Sequence, residues 1–192
     1  MERAVEILKS FMSEGGEWAE GKMPYLRAPV WLFFLYVFIR HVSSSHYSSL
    51  FSGITLGIHE LGHVILTPFG TFMMIMGGTI FQIAAPVASF FVFLRQNDYF
   101  AVSVSFGWLS TSLFEAARYS GDAERMLLPL VSPFGGEDII HDWNYMLSKL
   151  GMLGLAPAVS GFFWLLAVAS MLLALFWGGY LLLIMFRAIR TS

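Results

Sequence analysis

The chain has 192 residues, of which 57% are hydrophobic and 12% charged, with a mean hydropathy of +0.68. Soluble domains carry about 25% charged residues, so this composition excludes an ordinary soluble protein and indicates an integral membrane protein. The net charge of −2, without clustered Lys and Arg, argues against a nucleic-acid partner, and a chain without cysteine can build a metal site only from His, Asp and Glu.

The N-terminal segment predicts an amphipathic helix. Residues 1–22 place apolar side chains at helical spacing among Glu and Lys, a pattern typical of a helix at a membrane interface. Residues 23–192 have the length of one transmembrane domain with about five helical spans. The predicted fold class is therefore an all-α integral membrane protein with an interfacial N-terminal helix.

Five apolar stretches are the candidate spans: 28–39, 50–67, 71–94, 99–117 and about 156–187. The turn at 68–70 separates the second stretch from the third, so these two predict a helical hairpin. If successive spans alternate in direction, the first span and the second span are also antiparallel. A polar loop, 119–150, precedes the last span and holds many of the charged residues.

The second span contains the pattern His-Glu-x-x-His at His59, Glu60 and His63. An ionisable side chain at membrane depth costs at least ~2.5 kcal/mol, which favours a functional reason for these groups. Histidines four residues apart share a helix face and can bind one Zn²⁺, and the glutamate can then take a proton from the attacking water. The structural alternative is that the three groups only form hydrogen bonds with a neighbouring span.

A catalytic zinc site takes three protein ligands, and the sequence leaves the third one open. His41 and His46 are better explained as interfacial or solvated residues. The other candidates are Glu115, Asp122, His141 and Asp142. Asp142 also fits the N-cap of a helix that follows it, and Asp122 fits a surface partner of a nearby arginine.

Gly77, Gly78 and Gln82 form a further group of interest in the third span. A glutamine amide near a metal could hold a substrate strand or stabilise an oxyanion. The alternative is close helix packing at the glycines with one interhelical hydrogen bond from the glutamine.

Two stretches, "HELGHVILTPFG" and "GGTIFQIAAP", resemble the site-2-protease class of intramembrane zinc metallopeptidases, in particular its small bacterial M50-like branch. "GDAER", "LLPL" and "HDWNYMLSKLGML" are similar to the downstream part of those proteins, so the resemblance covers roughly residues 50–155. It implies a three-helix core, 50–67, 71–94 and 99–119, with zinc on the two histidines and Glu60 as the base.

The better-known members of that class take a third ligand from an aspartate in a Leu-Asp-Gly motif, which this sequence lacks. Asp122 is the nearest equivalent. His141 is the preferred third ligand, with Asp122 as the alternative, because imidazole is the commoner zinc ligand and the polar loop can fold back over the site.

The leading functional hypothesis is a zinc endopeptidase of the bacterial inner membrane that cleaves a peptide bond within or beside the bilayer. Its partners would be membrane lipids and a transmembrane or membrane-adjacent protein substrate. The alternative is a non-catalytic metal-binding subunit of a membrane complex. A metal-ion transporter is a third hypothesis, but it would spread ionisable residues over several spans.

Overall fold

The computed structural model describes residues 2–44, 47–129 and 140–191, and within them the chain is all-helical, as predicted. Two short 3-10 turns, Thr67–Phe69 and Leu153–Leu155, lie directly before the fourth and the seventh helix. The helices are α1 (Glu2–Glu20), α2 (Arg27–Ser43), α3 (Ser52–Leu66), α4 (Thr71–Arg95), α5 (Tyr99–Gly121), α6 (Asp142–Lys149) and α7 (Ala156–Thr191).

Helix α5 is the centre of the bundle, because 14 of its 23 residues are buried. Its small side chains let α7 pack closely along it, and hydroxyl groups connect the two helices. Ser110 Oγ donates to the carbonyl of Ala167 at 2.7 Å, and Ser170 Oγ donates to the carbonyl of Phe106 at 2.8 Å. Other hydroxyl groups of α5, those of Ser103, Ser105, Thr111 and Ser120, donate to carbonyls of α5 itself.

Helices α3 and α4 approach each other at Gly62 and Gly77. A Cβ atom on either glycine would collide with the backbone carbonyl group of the other. Gly77 therefore allows close packing of the two helices, which is one of the two roles predicted for it. α3 and α4 form the predicted hairpin through the turn at Thr67–Phe69.

Helices α3 and α5 run in the same direction, as alternating spans predict, but α2 runs in that direction as well, which differs from the predicted alternation. Phe34 packs on Gly107 and His41 stacks on Phe114, so α2 is parallel to α5. Phe51 stacks on Phe34 with ring centroids 5.8 Å apart, and it also lies against Trp108. The segment after α2 therefore turns back, and α3 begins at the level of the middle of α5.

Among the residues that the structure describes, two helices have the length and apolar composition to cross a membrane: Thr71–Arg95, and Leu153–Arg190, which includes the 3-10 turn before α7. The five predicted spans are not supported. α2 and α3 contain 17 and 15 residues, fewer than the about 20 that a bilayer requires. α5 is long enough, but it carries Glu115 and many hydroxyl residues.

The N-terminal helix α1 packs on the end of the bundle remote from the His-Glu-x-x-His pattern. Phe11 stacks on Trp177 at 4.6 Å, and Tyr99 Oη donates to Glu14 Oε2 at 2.9 Å. The side chains of Ile7 and Leu8 are 63% and 58% exposed, which leaves apolar surface on the same helix. The predicted helix is confirmed, whereas its contact with lipid stays a prediction.

Candidate metal centre

The His-Glu-x-x-His residues lie together on α3. The ring centroids of His59 and His63 are 4.8 Å apart, because residues four positions apart share one helix face. One ligand atom each from His59, Glu60 and His63 lies within 4.8 Å of the others. The three groups can therefore surround a single ion.

The hydrogen bonds around His59 fix its tautomer. Gln82 Nε2 donates to the carbonyl of Ser112 at 2.8 Å, so the amide oxygen of Gln82 points toward His59. That oxygen lies 2.9 Å from Nδ1 of His59 and can only accept a hydrogen bond. Nδ1 of His59 therefore carries a proton, and Nε2, the nitrogen that a metal would bind, faces Asp142.

A backbone carbonyl fixes His63 in the same way. Nδ1 of His63 donates to the carbonyl oxygen of Met74, on α4, at 2.8 Å. Metal-binding histidines almost always donate their second N–H to an oxygen acceptor, which orients the ring and makes the free nitrogen more basic. His59 and His63 both meet that condition.

The two free nitrogens converge on Asp142. Oδ2 of Asp142 lies 2.9 Å from Nε2 of His59 and 3.3 Å from Nε2 of His63. Two nitrogen lone pairs would repel a carboxylate oxygen at these distances, so the set is stable only with a shared cation or an added proton. Ligands on one tetrahedral zinc ion lie about 3.3 Å apart, which these atoms approach.

Asp142 is the first residue of α6, and two hydrogen bonds hold the start of this helix in place. Its backbone N–H donates to Tyr119 Oη at 3.0 Å, and Asn144 Nδ2 donates to the carbonyl of Ala123 at 2.8 Å. Burial alone would raise the pKa of Asp142, but the contacts with His59 and His63 outweigh burial and hold the pKa below its usual value. A lowered pKa favours the ionised carboxylate, which is the form that binds a metal.

The structure places the two predicted candidates for the third ligand, His141 and Asp122, against each other and not against the histidine pair. Nε2 of His141 lies 3.5 Å from Oδ2 of Asp122, and Nδ1 of His141 accepts from the backbone N–H of Asn144 at 3.3 Å. Asp122 also accepts from the backbone N–H groups of Leu127 and Leu128. His141, not Asp142, is the N-cap of α6, so the predicted cap was wrong by one residue.

The remaining candidate ligands do not reach the histidine pair either. His41, on α2, is buried against α5, where its ring stacks on Phe114 with ring centroids 4.6 Å apart. His46 lies outside the described residues. Glu115 faces Ser52 from α5, and His59 and Arg118 are the titratable or charged groups near it.

Gln82 and Gly78 support the His59 ring. Both ends of the Gln82 amide are engaged, one with His59 and one with Ser112, which favours the packing alternative over a role in holding substrate. A Cβ atom on Gly78 would collide with the His59 ring at Cε1 and Cδ2, 2.6 and 2.7 Å away. The glycine therefore makes the space in which the ring lies.

We expect Gly78→Ala to weaken zinc binding at least about tenfold, because the methyl group displaces a ring whose orientation depends on both nitrogens. Zinc affinity is measured by competition with a chromophoric chelator. Gly57→Ala is the matched control, since a Cβ atom at Gly57 has no atom within 4 Å. Wild-type affinity in the Gly78 variant would contradict this role.

Comparisons with protein-family models, curated proteins and solved structures found no match to this chain.

Proposed function

We propose that the chain is a membrane-embedded, zinc-dependent endopeptidase that hydrolyses a peptide bond within or near the bilayer. The observation that carries the proposal is the convergence of two imidazole nitrogens on one oxygen of Asp142, next to a further carboxylate. A structural zinc site is closed by four protein ligands, whereas three ligands and a nearby base are typical of a hydrolytic site. The resemblance of the sequence to site-2 proteases agrees with this proposal.

His59, His63 and Asp142 would hold the metal. A bound zinc ion would polarise the scissile carbonyl group and make water more acidic. Glu60 would take the proton from the water as its oxygen forms a bond to the carbonyl carbon, and it would pass the proton to the peptide nitrogen as the C–N bond breaks. A carboxylate oxygen of Glu60 and a ring nitrogen of each histidine lie within 4.8 Å of one another, so Glu60 is close enough for this role.

The substrate class follows from the proposed position of the site in the membrane. Besides the two candidate spans, α3 presents apolar side chains to the exterior, and these are Ile54, Leu56, Leu61, Val64 and Ile65. Apolar surface of this extent favours contact with lipid or with another transmembrane segment. We propose a multi-pass protein of a bacterial inner membrane that acts on a transmembrane or membrane-adjacent protein.

A chelation experiment tests the proposal. The purified chain is placed in lipid vesicles with a library of transmembrane peptides, and products are identified by mass spectrometry. We expect cleavage that 1,10-phenanthroline stops and added zinc restores, because the metal activates the water. Zinc binding with no cleavage of any peptide would instead favour the non-catalytic metal-binding subunit.

A further inference from the structure

A cavity of about 340 Å³ lies at the end of the bundle where α2 and α5 end and α7 begins. Its lining includes His41 of α2, Glu115 and Arg118 of α5, and Ser160 of α7. The volume is within the range of small-ligand sites, about 300–1,000 Å³. The described residues of the lining include no residue of the candidate metal centre, so the cavity is distinct from that centre.

Two of the side chains that line the cavity carry a buried polar atom without a hydrogen-bond partner. These atoms are Nε2 of His41 and Oε1 of Glu115. His41 is only 9% exposed, so bulk solvent does not compensate its ring nitrogen. Because buried polar atoms of native proteins are nearly always paired, a bound molecule is expected to supply the missing hydrogen bonds.

The cavity also presents two opposite charges. Glu115 and Arg118 are three positions apart on α5, so their side chains leave the same helix face. In the part of the chain that the structure describes, no salt bridge joins the carboxylate to the guanidinium. A ligand with one positive and one negative group can therefore pair with both side chains at once.

The open side of the cavity faces the exterior between α2 and α7. Val42 and Trp164 line it there and are 52% and 41% exposed. At a rise of about 1.5 Å per residue, Ser160 lies about 40 Å along α7 from Arg187, where the apolar run ends. In a bilayer crossed by α7, that distance spans both head-group regions and places the cavity at head-group level. Tyr47 and Trp164 suit this level, because Tyr and Trp are concentrated at membrane interfaces.

We propose that the cavity binds the head group of a zwitterionic phospholipid that carries a primary ammonium group. The ammonium would donate to Glu115 and to Nε2 of His41, and the phosphate would accept from the planar guanidinium of Arg118. Ile39 and Val42, one turn apart on α2, are 55% and 52% exposed and supply apolar surface for the acyl chains. The inference rests on the proposed membrane location of the chain and not on hydrolysis.

The two unpartnered atoms select the head group. A primary ammonium has three N–H donors, so it can satisfy both Oε1 of Glu115 and Nε2 of His41. A trimethylammonium group has the same charge but no N–H group, so it would leave both atoms without a hydrogen bond. An ethanolamine lipid should therefore bind more tightly than a choline lipid with the same acyl chains.

Native mass spectrometry of the detergent-purified chain tests the site. The protein is titrated with dioleoylphosphatidylethanolamine or dioleoylphosphatidylcholine, which share their acyl chains, their phosphate and their net charge. We expect the wild type to bind one ethanolamine lipid at least about tenfold more tightly than the choline lipid. Glu115→Gln should remove most of this preference, whereas Arg118→Gln should weaken the binding of both lipids by similar factors, because both contain the phosphate.

Glu124→Gln and Arg125→Gln are the matched controls, because both residues are exposed and lie outside the described lining of the cavity. Both controls should bind the two lipids as the wild type does. Equal affinities of the wild type for the two lipids, or an unchanged preference in Glu115→Gln, would overturn the proposal.

Glycerophosphoethanolamine has the same head group without acyl chains and distinguishes a lipid site from a site for a soluble zwitterion. Its failure to displace the lipid at equal concentration would support the lipid site, and displacement would overturn the assignment to a lipid. A chain that prefers the ethanolamine lipid but cleaves no peptide would contradict only the peptidase proposal. A chain that cleaves peptides without this preference would contradict only the lipid site.

Discussion

Replacing Asp142 with alanine is expected to lower zinc affinity by at least about 100-fold, more than the usual loss from removing a residue that only supports a ligand. The reason is the contact geometry: one oxygen of Asp142 lies against Nε2 of both His59 and His63. Without it, two imidazoles alone would hold the ion. Competition with a chromophoric chelator measures the change.

Asp98→Ala is the matched control for this variant. Asp98 caps α5 at the opposite end of the bundle, where its side chain accepts from the backbone N–H of Ala101. Loss of such a cap costs about 1 kcal/mol of stability and leaves the metal centre untouched. Wild-type affinity in Asp142→Ala, together with zinc loss in His141→Ala, would make His141 the third ligand instead.

Replacing Glu60 with glutamine is expected to lower the cleavage rate by about 10²–10⁴-fold while zinc remains bound. Glutamine has the same shape as glutamate, but its amide cannot take a proton from water. The variant separates catalysis from metal binding, because His59, His63 and Asp142 are unchanged. The rate is measured on a peptide that the wild-type chain cleaves.

Glu124→Gln supplies the matched control, because Glu124 is exposed at the surface and lies outside the metal centre. It should cleave at the wild-type rate. If Glu60→Gln loses zinc together with activity, Glu60 is a ligand and not a base. If it keeps full activity, the proposed proton transfer is wrong.

Local patterns were sufficient to predict the helices and the first part of the site. The apolar runs give α4 and α7, and the interval of four residues places His59 and His63 on one face of α3. The glycine pair Gly77 and Gly78 also agrees with an expectation from sequence, since small residues permit close helix approach.

The position of Asp142, the proposed third metal ligand, depends on packing between distant parts of the chain. Asp142 is separated from His59 by 83 positions. It reaches His59 because Tyr119, near the end of α5, and Ala123, just after that helix, hold the start of α6. His141 is the N-cap of α6, so the next residue, Asp142, is the one whose side chain faces the histidines. Sequence patterns locate helix ends only to within a few residues and could not distinguish these two positions.

The direction of α3 could not be predicted from hydropathy either. An apolar run of 15 residues has the same composition whether it crosses the bilayer or begins halfway through the bundle. The aromatic contacts of Phe51 with Phe34 and Trp108 determine where α3 begins along the bundle. These contacts connect three separate segments of the chain. Only the folded chain contains that information.

Elemental analysis of the purified protein in detergent tests the central claim most directly. The account predicts about one zinc ion per chain in the wild type, and none in His59→Ala or Asp142→Ala. A wild-type chain that contains no transition metal and takes up no added zinc would contradict it. His59, His63 and Asp142 would then be a hydrogen-bonded cluster that joins α3 to α6.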